Sequence, residues 1–337
     1  MSMTTAVYAT DELPGGTADA VVIGGGAAGL NGALMLARSR RSVVVIDSGT
    51  PRNAPAEGVH GLLGLDGTPP AELLRRGREE VRRYGGRVVT GKVTAAVPAA
   101  PSAGGDPRFT VTLADGGTLE ARRLLVATGL RDVLPEVPGL AGHWGRGVVH
   151  CPYCHGWEVR DEPIGILAVG PASVHHALLF RQLTDDLVYL TRGTALDADA
   201  RERLAARGVE VVDTPVAEVV TGEDGGIAGV RLDDGRVVER RVLAVATTPR
   251  ARTEGLDGLG LAVEELPGGT GRRFASGVAG STGVPGVWVA GNATDPTAQV
   301  GASAAAGALA GARMNADLAT ADTDAALAAA RRAGAPA

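Results

Sequence analysis

Cysteine is almost absent from this chain: its 337 residues include two, Cys151 and Cys154. So few exclude a disulfide-stapled secreted scaffold and a four-cysteine zinc site. Lysine is rarer still, with Lys92 alone and arginine carrying the rest of the positive charge. The formal net charge is −5, which leaves no basic footprint for nucleic acid. Aromatics make up only 3%, so the core must be built from Val, Leu, Ile and Ala. Long hydrophobic runs are also lacking, and the Gly301–Ala312 stretch is too weakly apolar to span a bilayer. The opening MSMTTAVYATDELPGG has neither the cationic start nor the apolar segment of a signal peptide. The expectation is a cytoplasmic protein with no membrane or nucleic-acid partner.

What is present is glycine, 50 residues of it, within a composition that is 45% hydrophobic and 21% charged. That many glycines imply tight turns and close backbone approaches. The length suits two domains, each able to bury its own core. Behind a polar leader, Ala18–Ile23 reads as a buried strand, Asn31–Ser39 as helix, and Ser42–Ile46 as a second strand ending at Asp47. This order opens a parallel βαβ unit. Pro69–Tyr84 reads as an amphipathic helix, Arg87–Val97 and Arg108–Leu113 as strands of a smaller sheet, and Leu124–Ala127 as a buried strand. A similar series begins near Pro163: strands at Ile164–Val169, Leu187–Leu190, Val209–Val212 and Val242–Ala246, with helices at Ala172–Leu183 and Arg201–Arg207. Val287–Ala290 and a helix at Gly301–Leu318 return to the first pattern.

The fold class expected is therefore α/β, with two Rossmann-like dinucleotide-binding domains, the second inserted in the first. The first would comprise residues 17–130 and 250–318, and the second 131–249. Residues 1–16 and 319–337 would be tails.

Gly24-Gly25-Gly26-Ala27-Ala28-Gly29 supplies G-x-G-x-x-G between a strand and a helix. Gly24 permits the tight turn, Gly26 lets backbone N–H groups of Ala27 and Ala28 approach a pyrophosphate, and Gly29 allows close helix packing. Asp47 ends the next strand, where a carboxylate accepts bonds from ribose hydroxyls.

The most informative segment is Cys151-Pro152-Tyr153-Cys154-His155-Gly156. Two cysteines at this spacing can close a small disulfide ring and carry two electrons, and His155 is placed to shuttle a proton near neutral pH. Haem attachment also uses Cys-x-x-Cys-His but needs export and an axial partner. A zinc site needs four ligands and only one cysteine pair is present. Two unreactive buried cysteines are the bland reading. Redox chemistry fits best, and no metal site is expected. His150 could tune the pair or simply pack, and His175-His176 read as a partly exposed helix face.

Over nearly its whole length the chain resembles the low-molecular-weight thioredoxin reductase family. The resemblance rests on Gly24–Gly29, Thr128-Gly129, Cys151-Pro152-Tyr153-Cys154, and Gly291-Asn292 with Thr297-Ala298-Gln299-Val300. It implies FAD, a homodimer, and a domain rotation that alternates access to the dithiol. It further implies that Cys154 is nearer the flavin and Cys151 exchanges with substrate. Gln299 and Val300 would lie against the flavin ring, Asn292 would bond the ribitol where the family has an acid, and Arg52 and His60 would lie near the cofactor.

The chain departs from that family twice. His155 stands where an acid is usual. The second glycine turn reads Ala168-Val169-Gly170-Pro171-Ala172-Ser173-Val174, where Pro171 removes a backbone donor, and only Arg192 follows in place of a basic cluster. Binding of NADPH is thereby put in doubt. In both respects the chain resembles the FAD-dependent dithiol oxidases of the gliotoxin and holomycin type. That resemblance implies oxidation of a small-molecule dithiol or protein thiol through Cys151 and Cys154, with O₂ as electron acceptor and His155 taking protons. An NAD(P)H-dependent or ferredoxin-fed thioredoxin reductase and a non-turnover flavin redox sensor are the alternatives.

Overall fold

Alternation decides how the first strands bury themselves. In β1 (Thr17–Ile23) and β2 (Val43–Asp47), Ala20, Val22, Val43 and Val45 face one core, while Val21, Ile23, Val44 and Ile46 face another. A strand covered on both sides belongs in a parallel sheet with a layer on each face. The computed structural model describes residues 10–102 and 104–334. The chain forms two compact units. One contains the described residues up to Ala54, Pro69–Arg131 and those from Pro249 onward; the other contains Pro55–Thr68 and Asp132–Thr248. Each is a Rossmann-type α/β layer, and the main stretch of the second is inserted in the first.

The helices are α1 (Ala27–Arg38), α2 (Pro70–Arg83), α3 (Pro152–His155), α4 (Ala172–Phe180), α5 (Ala198–Ala206) and α6 (Val300–Arg332). In the first unit the remaining sheet strands are β3 (Arg87–Thr90), β4 (Val93–Ala99), β5 (Arg108–Leu113) and β6 (Thr118–Val126). The sheet order is β3-β2-β1-β6-β5-β4, with Val287–Val289 also pairing in parallel with β6. Arg87–Val97 is thus two strands, not one. β3 extends the parallel sheet beside β2, whereas β4 pairs antiparallel with β5.

Leu30, Ala33, Leu36 and Ala37 give α1 a single apolar face. It packs with Ala310, Met314 and Leu318 of α6, and each well-buried large aliphatic contributes about 1.5–3 kcal/mol. The two helices cross closely through glycines. A Cβ at Gly307 would fall 1.9 Å from the Ala28 carbonyl oxygen, and one at Gly311 would fall 2.5 Å from that of Gly32.

Beyond Leu318, α6 buries nothing more, yet it continues to Arg332. Asp317 binds Arg123, while Asp322 binds Arg41 at 2.5 Å and Arg122 at 2.6 Å. The expected tail from residue 319 is therefore helix as far as Arg332. The end of the leader is also tied down: Asp11 pairs with Arg82 at 2.9 Å and accepts the Val88 N–H at 2.7 Å. Residues 1–9 and 335–337 of the expected tails lie outside the described residues.

The second unit repeats the scheme. Its parallel sheet runs Glu210–Val212, Leu187–Leu190, Ile164–Leu167, Val242–Val245, Val148–Val149, beside an antiparallel sheet of Val216–Thr221, Ile227–Leu232 and Val237–Glu239. Pro55–Thr68 belongs to this unit, although the chain order suggests the first. The reason is long-range packing: a Cβ at Gly145 would come within 2.6 Å of Pro55, and His60 contacts Glu158. Among the described residues, no helix is long and apolar enough to cross a membrane.

Candidate dithiol and dinucleotide sites

In the first unit, β1 delivers the chain into the glycine turn and α1 leaves it. Gly24 has φ of 110°, and a Cβ there would meet the Ala127 carbonyl at 2.3 Å, so only glycine fits. A Cβ at Gly29 would strike the Gly24 carbonyl at 1.9 Å. At Gly26 an added Cβ would meet nothing within 4 Å, and this residue caps α1 with no side-chain bond. The first intrahelical bond runs from the Leu30 N–H to the Gly26 carbonyl. The N–H groups of Ala27, Ala28 and Gly29 therefore point out of the helix end, toward open space beside Gly26. An open, donor-lined turn at the positive end of a twelve-residue helix has the chemistry to hold a pyrophosphate.

The other expected cofactor residues of this unit are held by bonds within it. Asp47 Oδ2 accepts from the buried Arg78 at 2.7 Å and Oδ1 from the Gly49 N–H at 3.1 Å, each oxygen keeping a second lone pair for a hydroxyl. Thr128 donates its hydroxyl to the Arg252 carbonyl, and Gly129 turns with φ of 69°. Gly291 packs against α1 so tightly that a Cβ would lie 2.7 Å from the Ala28 Cβ. Asn292 follows, donating to the Ala298 carbonyl at 2.8 Å and accepting from Arg52 at 3.5 Å. Its amide thus shapes the turn leading to Gln299, the exposed cap of α6, and Val300, the first residue of that helix. Sequence reasoning missed Arg78, a buried cation whose Asp47 partner lies 31 residues away.

In the second unit, strand Val148–Val149 leads through His150 to the dithiol. Cys151 caps the single turn α3 in extended conformation, Pro152 starts it, and the Cys154 and His155 N–H groups bond the Cys151 carbonyl. That turn brings the two Cα atoms to 5.2 Å with the disulfide closed. Gly156 must be glycine, since a Cβ would fall 2.0 Å from the Pro152 carbonyl and 2.4 Å from Leu183. Both cysteines are half-buried, while Tyr153 and Trp157 are exposed.

Both ring nitrogens of His155 are buried without a hydrogen-bond partner. Burial lowers its pKa, opposed by the Glu158 carboxylate and assisted by His60. A neutral imidazole with both nitrogens uncommitted can accept a proton from a thiol that enters beside it. His60 lies in the same unit as the dithiol, between Asp66 and Glu158. His176 is buried in α4 and donates Nε2–H to the His150 carbonyl at 2.7 Å, whereas His175 is exposed. The partly exposed helix face expected of the pair therefore holds for His175 alone. Among the described residues, no group of three or more His, Cys, Asp or Glu side chains is arranged so that it could hold a metal ion.

The second glycine turn sits at the start of α4. Pro171 caps that helix and has no N–H to offer. The Val169 N–H is donated to the buried Ser173 hydroxyl at 3.0 Å. Arg192, half-buried just past strand Leu187–Leu190, donates to the Ala168 carbonyl at 3.1 Å. The groups that could grip a nucleotide phosphate here are largely engaged with the protein itself.

Residues 18–314 match the pyridine nucleotide-disulphide oxidoreductase family. The chain is 38% identical over 264 residues to thioredoxin reductase tcpT of Claviceps purpurea, covering 74% of this chain and 79% of that one. It is 32% identical over 313 residues to thioredoxin reductase sirT of Leptosphaeria maculans, covering 88% and 93%. The crystal structure of HlmI superposes with a TM-score of 0.88 at 44% identity, covering 96% of this chain and 99% of that one.

Proposed function

This chain belongs to the pyridine nucleotide-disulphide oxidoreductase family, and on that footing we propose that it oxidises a small dithiol to a disulfide at Cys151–Cys154. It is a flavin-dependent thiol–disulfide oxidoreductase. Residues 17–54, 69–130 and 250–318 hold the FAD, with the pyrophosphate on Gly24, Gly26, Ala27, Ala28 and Gly29, and Asp47 at the ribose. Arg52, Thr128, Gly129, Asn292, Gln299 and Val300 complete that grip. Residues 131–249 carry the dithiol. The chemistry that bound FAD supplies is two-electron acceptance, with dioxygen as terminal acceptor.

The residues of the chain do the rest. A substrate thiol gives its proton to His155, and its sulfur attacks Cys151. The Cys151–Cys154 bond breaks, and Cys154 leaves as thiolate. The second substrate sulfur, its proton passing to the departing Cys151 sulfur, then attacks the substrate sulfur of the mixed disulfide, closing the substrate ring and releasing Cys151 as a thiol. Two S–H bonds are lost, one S–S bond forms, and two electrons enter the cysteine pair. The enzyme acts as a cytoplasmic homodimer.

The observation that carries oxidation over nicotinamide-driven reduction is the Val169 N–H, already donated to Ser173 beside a proline that has none. Lost donors weaken phosphate binding. The curated relatives carry the name thioredoxin reductase, and nicotinamide-driven reduction of a protein disulfide is the competing reading. Cys151→Ser and Cys154→Ser test the mechanism. Each variant should keep a yellow, folded protein and lose dithiol turnover; sustained turnover in either would overturn it.

A further inference from the structure

The cysteine turn is short, and little of its order is its own. α3 is a single turn of four residues, closed by the Cys154 and His155 N–H bonds to the Cys151 carbonyl. A helical piece of that length does not hold itself together in water. While the disulfide is closed, its ring restrains the turn, with the two Cα atoms 5.2 Å apart. Once a substrate thiol opens the ring, that restraint is gone, and order has to come from outside the turn.

The α4 region reaches the turn at both ends. Before it, His176 Nε2 lies 2.7 Å from the His150 carbonyl oxygen. A carbonyl only accepts, so Nε2 carries the proton and donates it. The other ring nitrogen, Nδ1, is buried with no hydrogen-bond partner, and the residue is only 9% exposed. Phe180 stands edge-on to the imidazole with centroids 4.9 Å apart, which restrains the plane of the ring. The bond falls on the peptide that joins His150 to Cys151, and a peptide is planar. Holding its oxygen therefore also holds the Cys151 N–H and Cα, from which the sulfur departs. After the turn, a Cβ on Gly156 would meet the Leu183 side chain at 2.4 Å, and the Asp161 N–H bonds the Leu183 carbonyl at 2.9 Å.

We infer that His176 is a positioning residue of the dithiol, whose N–H on the His150 carbonyl keeps Cys151 close to Cys154 whenever the pair is open. The inference deepens the proposed dithiol oxidation and rests on it. A held Cys151 raises the effective concentration of the two open thiols toward each other, which favours the disulfide. Without the N–H, the open pair gains freedom, and the disulfide becomes easier to reduce. No electron or proton passes through the bond.

The test equilibrates the holoprotein anaerobically at pH 7 with glutathione buffers of graded poise, and thiol trapping reads the fraction of open pair. Two glutathione thiols pass two electrons and two protons to the cysteines and leave as their own disulfide. His176→Leu, which donates nothing, should shift the equilibrium roughly tenfold toward the open pair, a potential about 30 mV higher. His176→Gln, whose amide can reach the same carbonyl, should keep the parent's potential. If His176→Leu gives no soluble protein, His176→Asn, whose amide falls short of the carbonyl, carries the same expectation. A donor-less variant with the parent's potential overturns the hold. A shift in His176→Gln as large as in His176→Leu would assign the effect to packing and also overturn it. Dithiothreitol added to the parent separates the two readings. A parent flavin that it does not bleach overturns the oxidation, and with it the role of the hold in turnover. A bleaching parent with an unshifted donor-less variant overturns the hold alone.

Discussion

His176 in α4 donates its Nε2–H to the carbonyl of His150, 2.7 Å away, so a helix grips the residue immediately before Cys151. In a nicotinamide-binding domain, the start of such a helix faces a phosphate. Here the start is blunted by Pro171, and the next turns hold the dithiol strand in place. The His176 ring also stands edge-on to Phe180, with centroids 4.9 Å apart.

Burial of the His176 ring predicts an acid-sensitive second unit. Burial lowers the His176 pKa from 6.5 to about 4. Between those values the unfolded chain binds the proton and the folded chain does not, so stability is full above pH 6.5 and falls toward pH 4. The loss amounts to about 3 kcal/mol across the window. Denaturant unfolding of the protein and of His176→Gln at pH 7 and pH 4.5 checks this. A drop of equal size in both would show that another group is responsible.

His155→Ala should slow dithiol turnover by roughly 10²–10⁴-fold, the usual contribution of a positioned general base. Because burial lowers the pKa of His155, the parent should stay active at pH values below 6.5, where an exposed imidazole would be charged. The acid limb of that profile should disappear in the variant. Equal rates at every pH would remove His155 from the chemistry.

In the first unit, Arg78→Met should cost about 3–5 kcal/mol, since it strands the partly buried Asp47 carboxylate without its cation. Weaker FAD retention should accompany the loss, because Asp47 would no longer be held at the end of β2. Unfolding midpoints and flavin content after gel filtration report both. An unchanged midpoint with full flavin content would mean that the pair does not support the site.

Gly307→Val should disturb the same unit by a different route. Its side chain would have to displace the Ala28 carbonyl, 1.9 Å from the position of the new Cβ. Separating α6 from α1 disturbs the helix end where the pyrophosphate is proposed to bind, and overpacking of this kind costs about 1–3 kcal/mol or more. The expected product is colourless or insoluble protein. A soluble yellow protein with full flavin would show that the crossing can relax.

Much of this was legible in the chain because it is local. The strand, glycine turn and helix of Ala18–Ser39 announce themselves through β-branched residues and glycine spacing, and the Cys-x-x-Cys turn is contiguous. Arg87–Val97 misled for the opposite reason. Its apolar residues run on through Gly91, while the break there is set by Leu113, whose side chain would lie 2.8 Å from a Cβ at that glycine. The membership of Pro55–Thr68 was hidden too, since it depends on Gly145 and Glu158, roughly a hundred residues away. The role of Asn292 in shaping its own loop depends on carbonyl directions, and residue identity does not encode those.

The central claim is that electrons enter this enzyme from a dithiol and not from a nicotinamide. Its most direct test is the flavin spectrum of the anaerobic holoprotein, recorded after adding a small dithiol in one cuvette and NADPH or NADH in another, then admitting air. Bleaching by the dithiol alone, with colour and hydrogen peroxide returning in air, is the predicted result. Fast bleaching by NADPH or NADH would contradict it and make the chain a nicotinamide-driven reductase.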